Sequence, residues 1–212
     1  MSKILSHLLE CNALRFGEFT LKSGRVSPYF VNMGAVCSGR GLSILANCYA
    51  ELFNEHFKGK ADNLFGPAYK GIPLCASVAT AIDNKYGIAV TFTYNRKEIK
   101  DHGEGGVLVG NTYNGGSSTL TKVVIIEDVI TAGTSIEDTM RIFSNIGNAK
   151  VVGLLVAMDR REKLASGKSA LGEVSEKYGI ETHAISTIDD ILEIAPPEYK
   201  TKIADYREKY GV

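Results

Sequence analysis

The sequence predicts an α/β fold in one domain, a mostly parallel sheet flanked by helices, with about residues 1–35 forming a small N-terminal flap. Three observations carry that expectation. From residue 41 onward, strand-like segments alternate with helix-patterned ones, without a long linker or an internal repeat, as βαβ units require. The run Val123-Val-Ile-Ile126 is β-branched and apolar on both faces, which suits a central parallel strand covered on either side by helices. The first 35 or so residues lack this alternation and read instead as a helix followed by a hairpin.

Taken in order, residues 3–14 place Ile4, Leu5, Leu8 and Leu9 at helical spacing. Residues 16–31 read as two short strands about a Ser23-Gly24 turn, with Lys22 and Arg25 on either side of it. Leu42, Leu45, Tyr49, Leu52 and Phe53 restore a helical period over 41–57. A short strand at 62–65 leads through the loop Gly66-Pro-Ala-Tyr-Lys-Gly71 into a helix at about 72–85. Residues 88–94 are β-rich, whereas 95–106 are too polar to bury and too glycine-rich at their end to persist as a helix, so they read as the least structured part of the chain. Strands follow at 107–109, 123–126, 151–158 and 180–185, with helices at 134–146 and 169–178. Asp189-Asp190 precedes a last helical pair broken by Pro196-Pro197. Ligands of open parallel sheets bind at the carboxyl ends of the strands, where 66–71, 95–106 and 127–135 should converge.

Composition narrows the function. Lysine plus arginine number 24 and aspartate plus glutamate 24, so no global field recruits nucleic acid or anionic membrane, and an anion must be bound locally. Cys11, Cys37, Cys48 and Cys75 form no C-x-x-C pair and have no histidine at zinc spacing, which argues against structural zinc and a disulfide framework. They read as reduced thiols of a cytoplasmic protein. The N-terminus lacks a signal peptide's apolar core, and no apolar run approaches the roughly 18 residues of a membrane span.

The chemistry concentrates after residue 122. Glu127 and Asp128 close the buried run, and two adjacent carboxylates there are costly unless a cation or a hydroxyl engages them. A sugar diol or a magnesium ion would serve. Thr131-Ala-Gly-Thr-Ser135 then leads into a helix carrying Ile136, Met140 and Phe143, and exposed N–H groups at such a start grip a phosphate. The same residues also fit a strand, an acidic turn and a Ser/Thr cap with no ligand at all. Neither a Walker loop nor a dinucleotide fingerprint is present. Tyr69-Lys70, in a glycine-bounded loop, could present a point charge to a pyrophosphate oxygen or lie solvated in an ordinary turn. Arg96, Lys97, Lys100 and His102, before the Gly103–Gly106 hinge, suit either a solvated face or a lid over a water-sensitive reaction.

Four stretches in order, Phe19-Thr-Leu-Lys-Ser-Gly-Arg25 with Ser27-Pro-Tyr-Phe30, Phe65-Gly-Pro-Ala-Tyr-Lys-Gly71, Tyr94-Asn-Arg-Lys-Glu-Ile-Lys-Asp-His-Gly-Glu-Gly-Gly106 and Asp128-Val-Ile-Thr-Ala-Gly-Thr134, resemble the orotate phosphoribosyltransferases over nearly the whole chain. The resemblance implies the type I phosphoribosyltransferase fold, with the flap as a hood to which C-terminal residues contribute. It implies transfer of ribose 5-phosphate from phosphoribosyl pyrophosphate to orotate in pyrimidine synthesis, Mg2+ as cofactor, and a homodimer with the lid shared between subunits. By motif, Lys22 would reach the ligands from the flap, Phe30 and Val31 would lie beside the orotate ring with Thr131 near it, and Arg160 would meet the orotate carboxylate. Tyr69 and Lys70 would hold the pyrophosphate side, and Arg96, Lys97, Lys100 and His102 would form the lid. Glu127 and Asp128 would meet the ribose hydroxyls, and Val129, Ile130, Thr131, Ala132, Gly133, Thr134 and Ser135 the 5′-phosphate. Magnesium would be held mainly by substrate oxygens. Two positions depart from the family pattern: Val31 stands where a second phenylalanine is frequent, and Glu127 where an aspartate is common. The implied chemistry passes through an oxocarbenium-like ribose, with the protein positioning reactants and neutralising departing pyrophosphate. Rival readings are a phosphoribosyltransferase for another base, which would differ at Lys22, Phe30 and Arg160, and a regulator that binds phosphoribosyl pyrophosphate and reads nucleic acid, which would need a basic patch.

Overall fold

The computed structural model describes residues 3–21, 23–100, 106–111, 113, 120–130 and 134–212. Helix α1 (Lys3–Glu10) stops short of residue 14, because Asn12 adopts a left-handed φ of 57° and Leu14 already begins the next strand. That strand, β1 (Leu14–Thr20), pairs antiparallel with β2 (Val26–Val31) in a separate two-stranded sheet. Helix α2 (Gly39–His56) starts where Ser38 Oγ accepts the Gly41 N–H at 3.0 Å, a side-chain cap.

The main sheet contains β3 (Asn63–Gly66), β4 (Thr91–Lys100), β5 (Gly106–Gly110), β6 (Thr121–Val129), β7 (Ala149–Asp159) and β8 (Glu181–Thr187), in the order β5-β4-β3-β6-β7-β8. All neighbours run parallel except β4 and β5. The intervening helices are α3 (Gly71–Tyr86), α4 (Thr134–Phe143) and α5 (Ala170–Tyr178), followed by α6 (Ile188–Ile194) and α7 (Pro197–Tyr210). Asp189 and Asp190 do not precede the last helical pair but lie in the first turn of α6, where Asp190 completes a capping box with Thr187.

Strand β6 shows why its sequence is apolar on both faces. Val124 and Ile126 join a core with α1, α2, α3, α6, α7 and the hairpin, while Val123 and Ile125 join a second core with α4 and α5. All four side chains have zero exposure, and each such burial stabilises the fold by about 1.5–3 kcal/mol. A buried polar knot joins the strands beside it: Asn63 Nδ2 donates to the hydroxyls of Thr91 (2.9 Å) and Thr93 (3.1 Å), and Tyr113 OH donates to Asn63 Oδ1 (2.8 Å). Among the described residues, no helix is long and apolar enough to cross a membrane.

Two further expectations are corrected. Residues 95–100 are not irregular: β4 continues to Lys100 and pairs with β5 at Asn95↔Leu108 and Lys100↔Gly106. Strand β3 ends at Gly66, opposite Tyr94, so β4 and β5 project beyond the sheet as a two-stranded arm. An arm with no sheet neighbour on its outer side can be polar and still be a strand, which is why polarity alone misled. Similarly, Glu127 and Asp128 do not terminate β6, which stays paired with β7 through Glu127↔Val156 and Val129↔Met158.

Candidate active site

Near the carboxyl end of β6, strand alternation sends Glu127 to the face of Val123 and Ile125 and Asp128 to the face of Val124 and Ile126. Glu127 is buried, and its Oε1 accepts the Asp128 N–H at 3.1 Å. Burial pushes its carboxyl above the usual carboxylate range, the Asp128 N–H works against this, the Asp128 charge adds to it, and a hydrogen bond from Ser135 again lowers it. A carboxylate this poorly solvated has much to gain from a ligand that donates hydroxyls. Beneath it, the buried Tyr49 hydroxyl donates to the Glu127 carbonyl at 2.6 Å, and burial holds that phenol neutral.

Asp128 accepts the Val129 N–H on Oδ1 at 2.7 Å and presents Oδ2 to Lys70 Nζ at 3.3 Å. Lys70 comes from the loop between β3 and α3, whose bounding glycines are required by close approach. A Cβ on Gly66 would stand 2.2 Å from the Gly71 carbonyl oxygen, and one on Gly71 would stand 2.8 Å from the Gly66 carbonyl carbon. Those glycines therefore bring the two ends of the loop together. The Ala68 N–H donates to Asn95 Oδ1 at 2.9 Å, which ties the loop to the root of the β4–β5 arm. Further out, Lys97 Nζ lies 4.7 Å from the centre of the exposed Tyr69 ring. Such an exposed cation–π contact stabilises by about 0.5–1 kcal/mol, enough to bias the arm toward the loop and weak enough to release it.

A second cluster forms at the end of β7. Arg160 is buried, and its Nε donates to Glu162 Oε1 at 2.6 Å, its NH2 group to Ser27 Oγ at 3.0 Å, and its guanidinium lies 4.3 Å from the Tyr29 ring centre. Burial disfavours the Arg160 charge, and Glu162 restores it. Burial also pushes the Tyr29 phenol up, so Tyr29 offers a neutral ring face. Glu162 is a hub, since it also accepts from Tyr206 OH (2.8 Å) and from Arg25 (3.1 Å). The hairpin, the β7 end and α7 are thereby joined through one carboxylate. Glu162, Ser27, Tyr29 and Tyr206 went unassigned in the sequence because their roles depend on contacts across 44 to 137 positions.

The structure thus brings Tyr69, Lys70, Lys97, Glu127, Asp128 and Ser135 into one network, with Arg96 half-buried in β4. Phe30 joins neither cluster: it stacks on Phe19 at 5.4 Å, with the Arg15 guanidinium 5.5 Å from its ring, while its neighbours Ser27 and Tyr29 turn toward Arg160. Val31 and Val129 pack against the first core, and Ile130 is buried in the second, so only the Ile130 backbone can meet a ligand. Lys22, His102, Thr131, Ala132 and Gly133 lie outside the described residues, as do the side chains of Lys100 and Thr134.

The Phosphoribosyl transferase domain family matches residues 39–175. An orotate phosphoribosyltransferase of Clostridium botulinum (strain Alaska E43 / Type E3) is 43% identical over 99% of this chain and 96% of its own. One from Acinetobacter baylyi is 46% identical over 96% and 93%. The crystal structure of the orotate phosphoribosyltransferase of Francisella tularensis superposes with a TM-score of 0.84 at 38% identity, covering 98% of each chain.

Proposed function

The chain belongs to the orotate phosphoribosyltransferase family, and on that premise we propose how its strand-end site performs the reaction. The activity is transfer of the 5-phosphoribosyl group from phosphoribosyl pyrophosphate to orotate, giving orotidine 5′-monophosphate and pyrophosphate in pyrimidine synthesis. The observation that carries our assignment of residues is the Lys70–Asp128 pair at 3.3 Å beside the desolvated Glu127. One network there offers two carboxylates for a sugar diol and a two-thirds exposed lysine free to swing onto a departing phosphate.

In this reading Glu127 and Asp128 accept hydrogen bonds from the ribose 2′- and 3′-hydroxyls, and the 129–135 segment at the start of α4 receives the 5′-phosphate. Lys70 exchanges Asp128 for a pyrophosphate oxygen, and Tyr69 lines that side. The arm bearing Arg96, Lys97 and Lys100, with His102, closes over the reactants to exclude water and add positive charge where the leaving group gains negative charge. Arg160, already oriented by Glu162 and Ser27, forms a charge-assisted bond to the orotate carboxylate, and Lys22 and Thr131 complete the base site. Hairpin β1–β2, fastened to the C-terminal segment through Arg25 and Glu162, acts as the hood.

Mg2+ fits this donor set as a substrate-held ion. Glu127 and Asp128 each accept a backbone N–H on one oxygen, and Asp128 gives the other to Lys70, which leaves little free carboxylate for a protein-only cage. When bound, the ion would neutralise the charge that pyrophosphate gains as its bond to ribose C1 breaks and the bond from C1 to the orotate nitrogen forms. We also place the lid in a homodimer, with Lys97 acting at its own site and Arg96, Lys100 and His102 reaching the neighbouring one, and the protein in the cytoplasm, consistent with four free cysteines. The deciding experiment follows orotate consumption with and without phosphoribosyl pyrophosphate, and after exhaustive chelation. The expected result is turnover that needs both the phosphoribosyl donor and a divalent ion. Turnover of adenine or hypoxanthine in place of orotate would overturn the base assignment, and full activity after chelation would remove magnesium.

A further inference from the structure

Away from the strand-end network, the last residue of α2 meets the first half of the edge strand β8. His56 stacks on His183 with ring centroids 3.5 Å apart and planes inclined by 13°. Glu181 and His183 alternate along β8, so both face the same side, toward α2. Glu181 Oε1 lies 2.8 Å from His183 Nε2 and 3.5 Å from His56 Nδ1, so two imidazole nitrogens converge on one carboxylate oxygen. One ligand atom from each of the three residues lies within 4.8 Å of the others, and among the described residues no other group of three such side chains is this close.

We propose that His56, Glu181 and His183 form a binding site for a borderline divalent transition ion such as Zn2+, pinning α2 to the sheet edge. The donor set decides the class of ion. Two imidazoles and a carboxylate suit Zn2+, Co2+ or Ni2+, whereas Mg2+ prefers oxygen ligands and its own waters. Three protein ligands with a fourth, solvent-filled position make a tetrahedral site, and partial exposure of the three side chains (24%, 41% and 25%) leaves that position open to water.

The distances require only a local adjustment. Ligand atoms about 2.0–2.1 Å from a tetrahedral zinc lie about 3.3–3.4 Å from one another. The 3.5 Å between Glu181 and His56 is already close to that, and the 2.8 Å hydrogen bond between Glu181 and His183 must open by about half an ångström. The two rings must also tilt out of their stack for both nitrogen lone pairs to meet the ion. His56 is free to do so at the helix end, and His183 pivots against the Phe57 ring, whose centroid is 6.1 Å away.

The surrounding charges match an outer shell. Glu55 Oε1 lies 3.7 Å from His56 Nε2, the nitrogen not directed at Glu181, beyond hydrogen-bond distance, so it adds negative charge beside the site without fixing the ring. Lys60 Nζ lies 3.9 Å from Glu181 Oε2, the oxygen not shared with the histidines, and so leaves Oε1 available. Nothing in this site touches the phosphoribosyl machinery, so the ion would fasten the sheet edge and take no part in transfer.

The test uses the full chain stripped of metal and titrated with ZnCl2 by calorimetry, with thermal unfolding in parallel and Co2+ as a spectroscopic probe. The expected result is one saturable equivalent per chain, a raised melting temperature and a Co2+ spectrum of nitrogen and oxygen ligation, none of it displaced by excess Mg2+. His183→Ala and Glu181→Gln should each weaken binding by at least about tenfold while orotate turnover stays unchanged. If His183→Ala does not fold, His56→Gln provides the same comparison. Absence of saturable binding, wild-type affinity in these variants, or a thiolate-to-cobalt charge-transfer band pointing to the free cysteines would each overturn the proposal.

Discussion

Replacing Glu162 by glutamine removes one charge and almost no volume from the joint between hairpin, β7 and α7. Its carboxylate accepts from Arg160 Nε at 2.6 Å, Tyr206 OH at 2.8 Å and Arg25 NH1 at 3.1 Å. A glutamine with its oxygen at the Oε1 position still accepts from Arg160 and Tyr206 but carries no charge, and its NH2 group faces Arg25, which cannot accept. Arg160 is 9% exposed at its side chain and Glu162 17%, so solvent does little to compensate a guanidinium that has lost its counter-charge. A hydrogen bond to a charged group contributes about 1.5–3 kcal/mol, and breaking a buried pair by removing one partner costs about 3–5 kcal/mol. The Arg25 bond is more exposed and adds at most about 1 kcal/mol. Because glutamine retains part of the geometry, we expect a loss of about 2–4 kcal/mol. With a urea slope near the upper end of about 1–3 kcal/mol/M, the unfolding midpoint should fall by about 1 M. The assay is urea denaturation followed by circular dichroism, with steady-state kinetics on the same preparation. Since Arg160 is the proposed orotate ligand, the orotate KM should rise while the KM for phosphoribosyl pyrophosphate stays nearly constant. A loss below about 0.5 kcal/mol with an unchanged orotate KM would refute the hub.

Glu127→Gln addresses the desolvated carboxyl: burial raises its folded-state pKa, so its contribution to stability is present at low pH and is lost as pH rises through the folded value. The variant should therefore melt higher than the parent at neutral pH and lose that advantage on acidification into the ordinary carboxylate range; equal melting temperatures at neutral pH would count against it. Gly153→Ala places a Cβ 2.2 Å from Phe57 Cζ, and the overpacking should cost about 1–3 kcal/mol by thermal or urea unfolding, with kinetics little changed. For the shared lid, mixing inactive Lys100→Ala with inactive Asp128→Asn under verified subunit exchange should restore activity, because a mixed dimer holds one site with both defects and one with neither. No recovery would mean that each lid serves its own subunit.

The sheet and helices were legible from the sequence because their signals are local. The two-sided apolar run 123–126, the helical spacing across 41–57 and the Ser23-Gly24 turn each follow from neighbouring residues, and they became β6, α2 and the β1–β2 hairpin. The motif positions around Lys70, Lys97 and Glu127–Asp128 were legible for the same reason, as short stretches of recognisable chemistry. Tertiary structure decided everything that depends on which strands become neighbours. Residues 95–100 look like a loop by polarity, yet they form a strand because β5 returns beside them where β3 has ended. Gly66 and Gly71 announce a tight loop, but only the fold shows that they make room for each other. Glu162 becomes a hub only when Arg25, 137 positions earlier, and Tyr206, 44 positions later, converge on it. His56 likewise meets Glu181 and His183 only because β8 packs at the edge of the sheet over the end of α2. Contacts of that range are set by chain closure and packing, for which a local pattern carries no signal.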